Sequence, residues 1–519
     1  MQLGFVIDHS RCIGCHACTV ACKSENDVPV GDFRTWVKYT EEGTFPTVKR
    51  SFAVLRCNQC TAAPCMTICP TSALSKRPDG IVDVDPAACI GCKSCMHGCP
   101  YDALYIGAHG TAEKCHFCAH RTERGLAPAC AVVCPTEAIV PGDFDDPESV
   151  VSRMKREYSL TARKVEAGTG PNVFYREAAP AAIDPALANG SVGSGGSIWA
   201  DRHPGLDVAA EEFDALEAKA RARTTYNVAH PALWGWKITG YLFTKSLAAG
   251  VFLAAAMAGI LPAGPVAEDA SLLETLGVPL LGLLFLAITS ALLVLDLKRP
   301  ERFFYILLRG NFASWLVRGT WFLVGYGALL AIWIGVRLAG SDSALLHWSL
   351  VGATAVVAGL AACYTGWLFG QAKGRVLWMR RGLWAHLIAQ AVVAGSATLL
   401  IAAPAIGIEG DGFVALSHVL AGWLGLHGLF TLAEGRLAPR NREAEYARVH
   451  RLIADGPFAR RHWRIGIAFG IAVPLVLLAL PSLSTGVEIR VTLAALCALI
   501  GLWSEEDLLV RAGQALPIS

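Results

Sequence analysis

The chain has 519 residues, of which 53% are hydrophobic and only 17% are charged. This composition excludes an ordinary soluble protein and a disordered one, because both carry a larger share of charge. The charges are divided unevenly: residues 1–225 hold 23 Lys+Arg and 27 Asp+Glu, whereas residues 226–519 hold 22 and 16. Neither part has the excess of basic residues typical of nucleic-acid-binding proteins, so we expect no nucleic acid partner.

The cysteines follow the same division. Sixteen of the 18 lie between Cys12 and Cys134, ahead of the long apolar stretches. The first residues have no basic start, no long apolar core and no cleavage site, so they do not read as a secretory signal. We therefore expect the cysteine-rich part, called the head below, to lie in the cytoplasm, where disulfides are disfavoured and clustered cysteines more often bind metal.

These sixteen cysteines form four groups of four. In chain order they are Cys12, Cys15, Cys18 and Cys22 (group 1), Cys57, Cys60, Cys65 and Cys69 (group 2), Cys89, Cys92, Cys95 and Cys99 (group 3), and Cys115, Cys118, Cys130 and Cys134 (group 4). Groups 1 and 3 read C-x2-C-x2-C-x3-C, group 2 reads C-x2-C-x4-C-x3-C and group 4 reads C-x2-C-x11-C-x3-C. A C-x2-C pair alone is more typical of zinc, and eight disulfides would suit a secreted protein. Neither alternative explains four complete groups, three of them followed by proline, so the pattern predicts four [4Fe-4S] clusters.

The spacing also predicts which cysteines share a cluster. A short loop with three cysteines can wrap three corners of a [4Fe-4S] cube, whereas the fourth cysteine of such a run ligates the other cluster of a pair. We expect group 1 to exchange its fourth cysteine with group 4, and group 2 with group 3. The four predicted ligand sets are therefore Cys12, Cys15, Cys18 and Cys134; Cys22, Cys115, Cys118 and Cys130; Cys57, Cys60, Cys65 and Cys99; and Cys69, Cys89, Cys92 and Cys95.

The remainder of the chain is predicted to cross a membrane eight times. Apolar stretches long enough to span about 30 Å of hydrocarbon as helices cover approximately 234–260, 273–295, 315–338, 346–370, 383–405, 413–434, 464–482 and 488–512. An even number of spans places the chain's two ends on one side. The connections on that side hold sixteen Lys+Arg and those on the far side hold none, which by the positive-inside rule predicts an inner-membrane protein with a cytoplasmic head and cytoplasmic termini.

Short motifs carry a family resemblance. They are Thr169-Gly-Pro-Asn-Val-Phe-Tyr175 after the last cysteine, Gly240-Tyr-Leu-Phe243 with Ala248-Ala-Gly250, Leu295-Asp-Leu-Lys-Arg-Pro300, Tyr364-Thr-Gly366 and Arg511-Ala-Gly-Gln514. With them, the head resembles the four-cluster iron-sulfur subunits of the dimethyl sulfoxide and polysulfide reductase class. The later part resembles the NrfD/PsrC-type (DmsC-like) membrane anchor of the same molybdopterin oxidoreductase superfamily.

The expected fold class is an α+β ferredoxin-like head with two bicluster ferredoxin modules, tethered to an all-α eight-helix transmembrane bundle. We expect three parts: the head at residues 1–177, a flexible linker rich in Ala, Gly, Ser and Asp at residues 178–228, and the quinone-interacting membrane domain at residues 229–519.

The resemblance implies an electron-transfer and membrane-anchor subunit. A separate molybdopterin catalytic subunit would meet the head, while lipid and ubiquinone or menaquinone would meet the membrane domain, and the whole complex could be a dimer. In the family, a histidine at the entry to the first membrane helix and a tyrosine of the fourth are associated with the quinone. His230 and Tyr364 are the matching positions; for His230, an interfacial histidine that caps the helix start is an equal alternative.

Further titratable residues lie in the apolar stretches. His386 is a third candidate near the quinone, although a purely structural role is the favoured alternative. Tyr241 and Lys245 share a face of the first helix, and because a lysine at the bilayer centre costs at least about 2.5 kcal/mol, Lys245 is expected to face the bundle or water. His427 and Glu434 share a face of the sixth helix and could carry protons, or could only bond neighbouring helices.

Two functional hypotheses follow. The first is a quinone-linked oxidoreductase subunit; a cytoplasm-facing complex of this type resembles sulfite dehydrogenases, so sulfite is the first substrate expectation and formate the second, whereas periplasmic relatives reduce dimethyl sulfoxide, polysulfide or tetrathionate. The second is a subunit of a proton-translocating respiratory complex whose electron donor is a cytochrome or another iron-sulfur protein. A b-type haem is not expected, because the resembling membrane subunits are haem-free.

Overall fold

The computed structural model describes residues 1–43, 45–189, 222–229, 232–261, 272–341, 343–480 and 486–519. Within these ranges the head contains twelve strands: β1 (Leu3–Asp8), β2 (Thr35–Glu42), β3 (Lys49–Arg56), β4 (Leu74–Lys76), β5 (Val82–Val84), β6 (Leu104–Ile106), β7 (Ala112–Lys114), β8 (Ile139–Asp143), β9 (Leu160–Thr161), β10 (Val173–Arg176), β11 (Ala188–Asn189) and β12 (Ala222–Tyr226). They form two four-stranded sheets, ordered β8-β1-β10-β9 and β11-β12-β2-β3, and two hairpins, β4-β5 and β6-β7.

The first sheet has β1 as a fully buried inner strand. Every residue of β1 is buried, as expected for an uninterrupted apolar run such as Leu3–Ile7. It pairs parallel to β10 and antiparallel to β8. The Thr169–Tyr175 motif therefore has a structural role. Its last residues lie in β10, which extends the sheet that supports the cysteine loops.

Short helices carry the later cysteines of each group. They are Ala17–Glu25, Pro64–Ile68, Ser94–Gly98 and Ala129–Val132. Three further short helices, Ala119–Thr122, Val150–Glu157 and Pro180–Ile183, contain no cysteine. In groups 1 to 4 the third and fourth cysteines lie four residues apart, at or next to such a helix. The prolines at 70, 100 and 135 then stop further helix, because proline disfavours helical geometry in the residue before it.

Eight helices in the described part of the chain are long and apolar enough to cross a membrane. Membrane helices 1 to 8 are Trp236–Met257, Leu272–Asp296, Trp315–Leu338, Ala344–Gly370, Leu383–Ile406, Gly410–Ala433, Arg461–Ala479 (a π-helix to Ala472, then α) and Val487–Ala512. Short helices Pro300–Arg302, Tyr305–Leu308, Val376–Met379, Glu434–Arg436 and Glu443–Ala454 lie in the connections. The eight predicted spans are confirmed, with ends that differ by a few residues.

Helices 1 and 5 form the centre of the bundle. Both are mostly buried, whereas most other helices leave the larger part of their apolar span exposed for lipid. Gly250 and Gly395 face one another, and a Cβ on either would overlap the other helix's backbone. Two glycines thus allow the helices to pack at a distance that no larger side chain would permit.

The head docks on the ends of the helices whose connections are rich in Lys and Arg. The backbone N–H groups of Lys298 and Arg299 donate to the carbonyls of Gly91 and Ile90, both at 3.2 Å. The buried ammonium of Lys93 pairs with Asp296 of helix 2 at 2.9 Å. The group 3 loop is therefore part of the interface with the membrane domain.

The predicted boundaries of the linker are wrong at both ends. Pro180–Ile183 is helical, β11 follows, and β12 pairs antiparallel with β2 from Ala222 to Tyr226. The head therefore includes residues from both ends of the predicted linker. The stretch from residue 190 to residue 221, on which the rest of that prediction falls, lies outside the described residues, as does His230.

A cysteine-lined path and an adjoining membrane cavity

The four cysteine loops share one backbone feature. The residue directly before the second cysteine has a positive φ in each loop: Gly14 (71°), Gln59 (44°), Gly91 (67°) and Phe117 (62°). Glycine adopts this left-handed conformation freely, whereas glutamine and phenylalanine do so at a cost. Such turns bring successive backbone N–H groups to one side and create a concave surface for anions, which suits a negatively charged sulfide cluster.

The cysteines lie together in the combinations that the sequence predicts as ligand sets. Burial raises the pKa of the Cys22 thiol, and the thiols of Cys115, Cys130 and Cys118 raise it further. Burial likewise raises the pKa of Cys99, with further contributions from Cys65, Cys57 and Cys60. In both cases the fourth cysteine of a group lies beside the first three of its partner group.

The other two sets follow the same rule. Burial raises the pKa of the Cys12 thiol, and Cys134 and Cys15 raise it further. The pKa of Cys95 is affected in the same way by Cys92, Cys69 and Cys89. We name the four sites by position: outer (Cys12, Cys15, Cys18, Cys134), second (Cys22, Cys115, Cys118, Cys130), third (Cys57, Cys60, Cys65, Cys99) and inner (Cys69, Cys89, Cys92, Cys95).

The donor sets fit cubane clusters better than single metal ions. Four thiolates around one zinc lie about 2.3 Å from the ion and hence under about 4 Å from each other. In the described ranges, which include all sixteen cysteines, no group of three or more cysteines has its ligand atoms all within 4.8 Å of one another. Backbone amides already point at some sulfurs, with the N–H of Ala138 donating to Cys134 at 3.2 Å.

The four sites form a path from solvent to the membrane domain. Cys15 of the outer site is exposed, whereas all eight cysteines of the second and third sites are buried. Asn311, which follows helix 2, donates to the carbonyl of Cys69 at 2.9 Å, and Arg302 donates to the carbonyl of Cys89 at 2.9 Å. The inner site therefore adjoins the membrane helices, and the outer site is the accessible end.

Buried cations lie along the path. Arg56 is fully buried, and its Nη1 donates to the Cys130 sulfur at 3.2 Å. Lys114 is also buried; its Nζ donates to the carbonyl of Cys115 at 2.7 Å, and the thiols of Cys57 and Cys115 raise its pKa although burial lowers it. Positive charge beside the second and third sites would offset the negative charge of clusters held there and would favour their reduced states.

A cavity of about 340 Å³ lies between the inner site and membrane helices 1 to 4. Cys92 and Ser94 line its head end, and Tyr241 of helix 1 lines it deeper in the membrane domain. Most of its wall is leucine, valine and phenylalanine, with Ser290 and Thr320 among its few polar groups. The volume and this lining are typical of a pocket for a small, mainly apolar molecule with polar groups.

The tyrosine on the cavity wall begins a chain of polar groups. The hydroxyls of Tyr241 and Tyr364 are in hydrogen-bond contact, and Tyr241 also contacts the Thr365 hydroxyl at 3.0 Å. Tyr364 is itself behind the wall, and its ring lies 5.4 Å from the Lys245 ammonium. Lys245 is fully buried, faces the bundle as expected and donates to the carbonyl of Ala362 at 2.5 Å.

The remaining predicted residues meet at a second place. His386 and His427 are in direct contact, and Glu434 forms a buried ion pair with Arg380. His427 does not pair with Glu434, however; its partner is Glu505 of helix 8. None of these side chains is among the residues that line the cavity.

Several residues of these sites were not predicted from the sequence. Lys93 and Ser94 lie inside a cysteine loop, where nothing but the loop's position in the fold relates them to a membrane cavity. Asp296 lies within the Leu295–Pro300 motif, which was noted for its family resemblance, but the sequence did not show that Asp296 pairs with Lys93. Glu505 is an acid in an apolar stretch, and its pairing with His427 depends on how helices 6 and 8 pack.

These observations define an iron-sulfur electron-transfer head fused to a multi-pass membrane domain. Residues 224–517 match the family described as polysulphide reductase, NrfD, and residues 48–144 match the 4Fe-4S dicluster domain. Because the first match covers more than half of the chain, the protein belongs to the NrfD family, and its iron-sulfur domain precedes the anchor in the same polypeptide.

Individual relatives are similar over about a third of the chain. The arsenate respiratory reductase iron-sulfur subunit ArrB of Shewanella sp. is 38% identical over 224 residues, 34% of this chain and 96% of its own length. The matching subunit of tetrathionate reductase from Salmonella typhimurium is 42% identical over 192 residues, 36% of this chain and 76% of its own length. Protein NrfC of Escherichia coli is 40% identical over 178 residues, 34% of this chain and 80% of its own length. The chain is thus an electron-transfer and anchor subunit similar to those of reductase complexes.

Proposed function

We propose that this protein relays electrons through four [4Fe-4S] clusters between a separate molybdopterin catalytic subunit and a quinone bound in the membrane cavity. The observation that carries the proposal is the cavity itself, which reaches from Cys92 of the inner site to Tyr241 of helix 1. A quinone ring needs a mainly apolar pocket close to an electron carrier, together with polar groups for its two oxygens. Ubiquinone and menaquinone share this chemistry.

When bound, the clusters would supply one-electron transfer, and the residues of this chain would position the quinone and handle its protons. The Tyr241 hydroxyl can donate to a quinone oxygen from the cavity wall. Tyr364, behind it, can replace the proton through the shared hydrogen bond. His230 could act at the entry to helix 1, a role that rests on the resemblance alone.

The accessible outer site is the proposed contact with the catalytic subunit. Ile13, beside Cys12, and Val132, two residues before Cys134, are exposed apolar residues, 57% and 65% accessible. Exposed apolar side chains around an electron-accessible cluster suit a protein partner. We propose that this face lies in the cytoplasm and that the chain spans the inner membrane, since the basic connections are on the head's side.

Two substrate classes are proposed for the catalytic partner. Sulfite oxidation follows from a cytoplasmic head. Reduction of an oxyanion such as arsenate or tetrathionate is the second candidate, favoured by the names of the similar subunits. Purification of the intact complex, molybdenum analysis and dye-linked assays with sulfite, arsenate and tetrathionate would decide between them, and a complex with cytochromes but no molybdenum would favour a proton-translocating assembly instead.

Two single tyrosine variants test the role of the cavity. Tyr241→Phe removes the hydroxyl on the wall and should slow oxidation of the reduced clusters by a soluble quinone by about tenfold to a hundredfold, since one hydrogen bond to a developing charge contributes about 1.5–3 kcal/mol. Tyr326→Phe is the matched control, because that buried hydroxyl donates only to the carbonyl of Ala248 at 2.6 Å. Equal rates in the two variants would refute the assignment of the cavity.

A further inference from the structure

Arg380, His386, His427 and Glu505 form a buried cluster apart from the cavity. Arg380 precedes helix 5, His386 lies in its first turn, His427 lies two turns from the head-side end of helix 6, and Glu505 lies on helix 8. The first three side chains are at most 6% exposed. Three elements that are distant in sequence thus bring together four titratable or charged groups on the head side of the membrane domain.

The hydrogen bonds of this cluster have a defined direction. A guanidinium has no acceptor, so the contact of 2.8 Å between Arg380 Nη2 and His386 Nδ1 makes that nitrogen the acceptor. A neutral His386 therefore carries its proton on Nε2 and donates to Nδ1 of His427 at 2.9 Å. His427 in turn carries its proton on Nε2 and donates to the Glu505 carboxylate at 2.9 Å.

This direction argues against a metal site at the same place. The ligand atoms of His386, His427 and Glu505 lie within 4.8 Å of one another, which by distance alone would suit a metal ion. However, a ligating histidine normally donates from its other nitrogen to a carboxylate or carbonyl. Here that other nitrogen of His386 accepts from Arg380, whose positive charge would also repel a cation.

We propose that His386, His427 and Glu505 are a proton relay whose direction is set by Arg380, and that the relay stores one proton during quinone turnover. In the charging step Glu505 takes the Nε2 proton of His427, and His427 takes the Nε2 proton of His386 on its Nδ1. His386 then takes one proton from head-side water on its own Nδ1, as Arg380 turns away towards Glu434. The balance is one proton taken up, two histidine tautomers exchanged and one carboxylate neutralised.

The surroundings connect this relay with the cavity. Glu505 also accepts from the Thr431 hydroxyl at 3.2 Å, and His462 of helix 7 lies within electrostatic range of both Glu505 and Glu434. Glu506, the next residue, faces the other way: it accepts from Ser246 at 3.0 Å and lies within electrostatic range of Lys245. Since Lys245 adjoins the tyrosine pair, a charge that appears at the quinone would favour proton uptake at Glu505. This step rests on the proposed quinone function.

The relay is tested first in the resting protein, without quinone. Nitrogen NMR of the ¹⁵N-histidine-labelled full chain, with His386→Gln and His427→Gln used for assignment, should show both histidines with a bare Nδ1 and a protonated Nε2. Arg380→Gln should release His386 into a mixture of tautomers. Nδ1-protonated histidines in the wild type, or stoichiometric zinc that is lost in His427→Gln, would overturn the relay.

The second test follows quinone reduction by infrared difference spectroscopy. The wild-type chain should show a protonated-carboxyl signal that Glu505→Gln loses, that Thr431→Val shifts and that Glu409→Gln, an exposed far-side control, keeps. Turnover of Glu505→Gln should fall at least about tenfold, as for loss of an acid-base group. A signal unchanged by Glu505→Gln refutes the relay, whereas a wild-type chain that reduces no quinone refutes the proposed function, and the NMR result then stands alone.

Discussion

The pair Lys93–Asp296 offers the sharpest test of how the head is held on the membrane domain. Its atoms lie 2.9 Å apart, with side chains only 9% and 12% exposed, and it joins a cysteine loop to the end of helix 2. Asp296→Asn would leave the Lys93 ammonium buried without its counter-charge. Loss of one partner from a buried pair costs about 3–5 kcal/mol, which corresponds to a factor of roughly 10² to several thousand in the population of undocked heads.

Hydrogen exchange measures this opening directly. The backbone amides of Lys298 and Arg299 donate to the head across the same interface, so their exchange rates report undocking. Asp296→Asn should accelerate both by about a hundredfold or more, and the double variant Lys93→Met/Asp296→Asn should recover most of the loss because no buried charge remains unpaired.

A surface pair serves as the control for this experiment. Arg11 and Glu137 are 49% and 83% exposed, so Glu137→Gln should change exchange at the interface very little. If Asp296→Asn alters exchange by less than about fivefold, or if the double variant is as labile as the single one, the pair does not hold the head in place.

Three further predictions concern the head and the bundle. Burial lowers the pKa of Lys38 from 10.5 to about 7. Between these two pH values the unfolded chain binds a proton that the folded chain does not, so the free energy of unfolding should rise with pH by about 5 kcal/mol in total. Denaturant unfolding from pH 7 to pH 10 should show this rise in the wild type and not in Lys38→Met. Cys134→Ser should alter the electron paramagnetic resonance signal of the outer cluster and Cys22→Ser that of the second, and the reverse assignment would refute the exchange of fourth ligands between groups 1 and 4. Gly250→Val should prevent stable assembly of the membrane domain, because the valine side chain would overlap the backbone of helix 5 at Ala391. Gly422→Ala is the control, since nothing lies within 4 Å of a Cβ built there. In an assay of stability in detergent, Gly422→Ala should behave like the wild type and Gly250→Val should not.

Much of the architecture was readable from local patterns. Thiolate spacing is a local property of the chain, because a loop of seven residues either wraps a cube or does not, and apolar length decides whether a helix can cross a bilayer. The exchange of fourth cysteines was also predicted, because a loop with three cysteines wraps three corners of a cube and leaves the fourth cysteine of the run for the other cluster of a pair; in the structure Cys22 and Cys99 lie beside the first three cysteines of their partner groups. The predicted linker boundaries were wrong because β11 and β12 are short strands. Their place in the sheet depends on pairing with β2 rather than on their own sequence.

The candidate sites divide in the same way. Tyr241, Lys245, Tyr364, His386, His427 and Glu434 were each visible as polar groups in apolar stretches, which is a statement about solvation cost. The sequence could not show which of them share a site, because helix rotation and packing decide that: Tyr241 faces the cavity, Tyr364 stands behind it, and His427 meets Glu505 instead of Glu434.

The sequence by itself therefore predicted the chemistry of the parts: which thiols have the spacing of iron-sulfur ligands, which segments are apolar enough to enter lipid, and that the two occur in one chain. The tertiary structure decided their order and contacts: an exposed outer site, an inner site against helix 2, a cavity beside Cys92 and a directed histidine pair apart from it. The physical reason is one of range. Metal-ligand spacing and hydrophobic length act within a few residues of the chain, whereas a cavity or a hydrogen-bond chain exists only between elements that packing brings together.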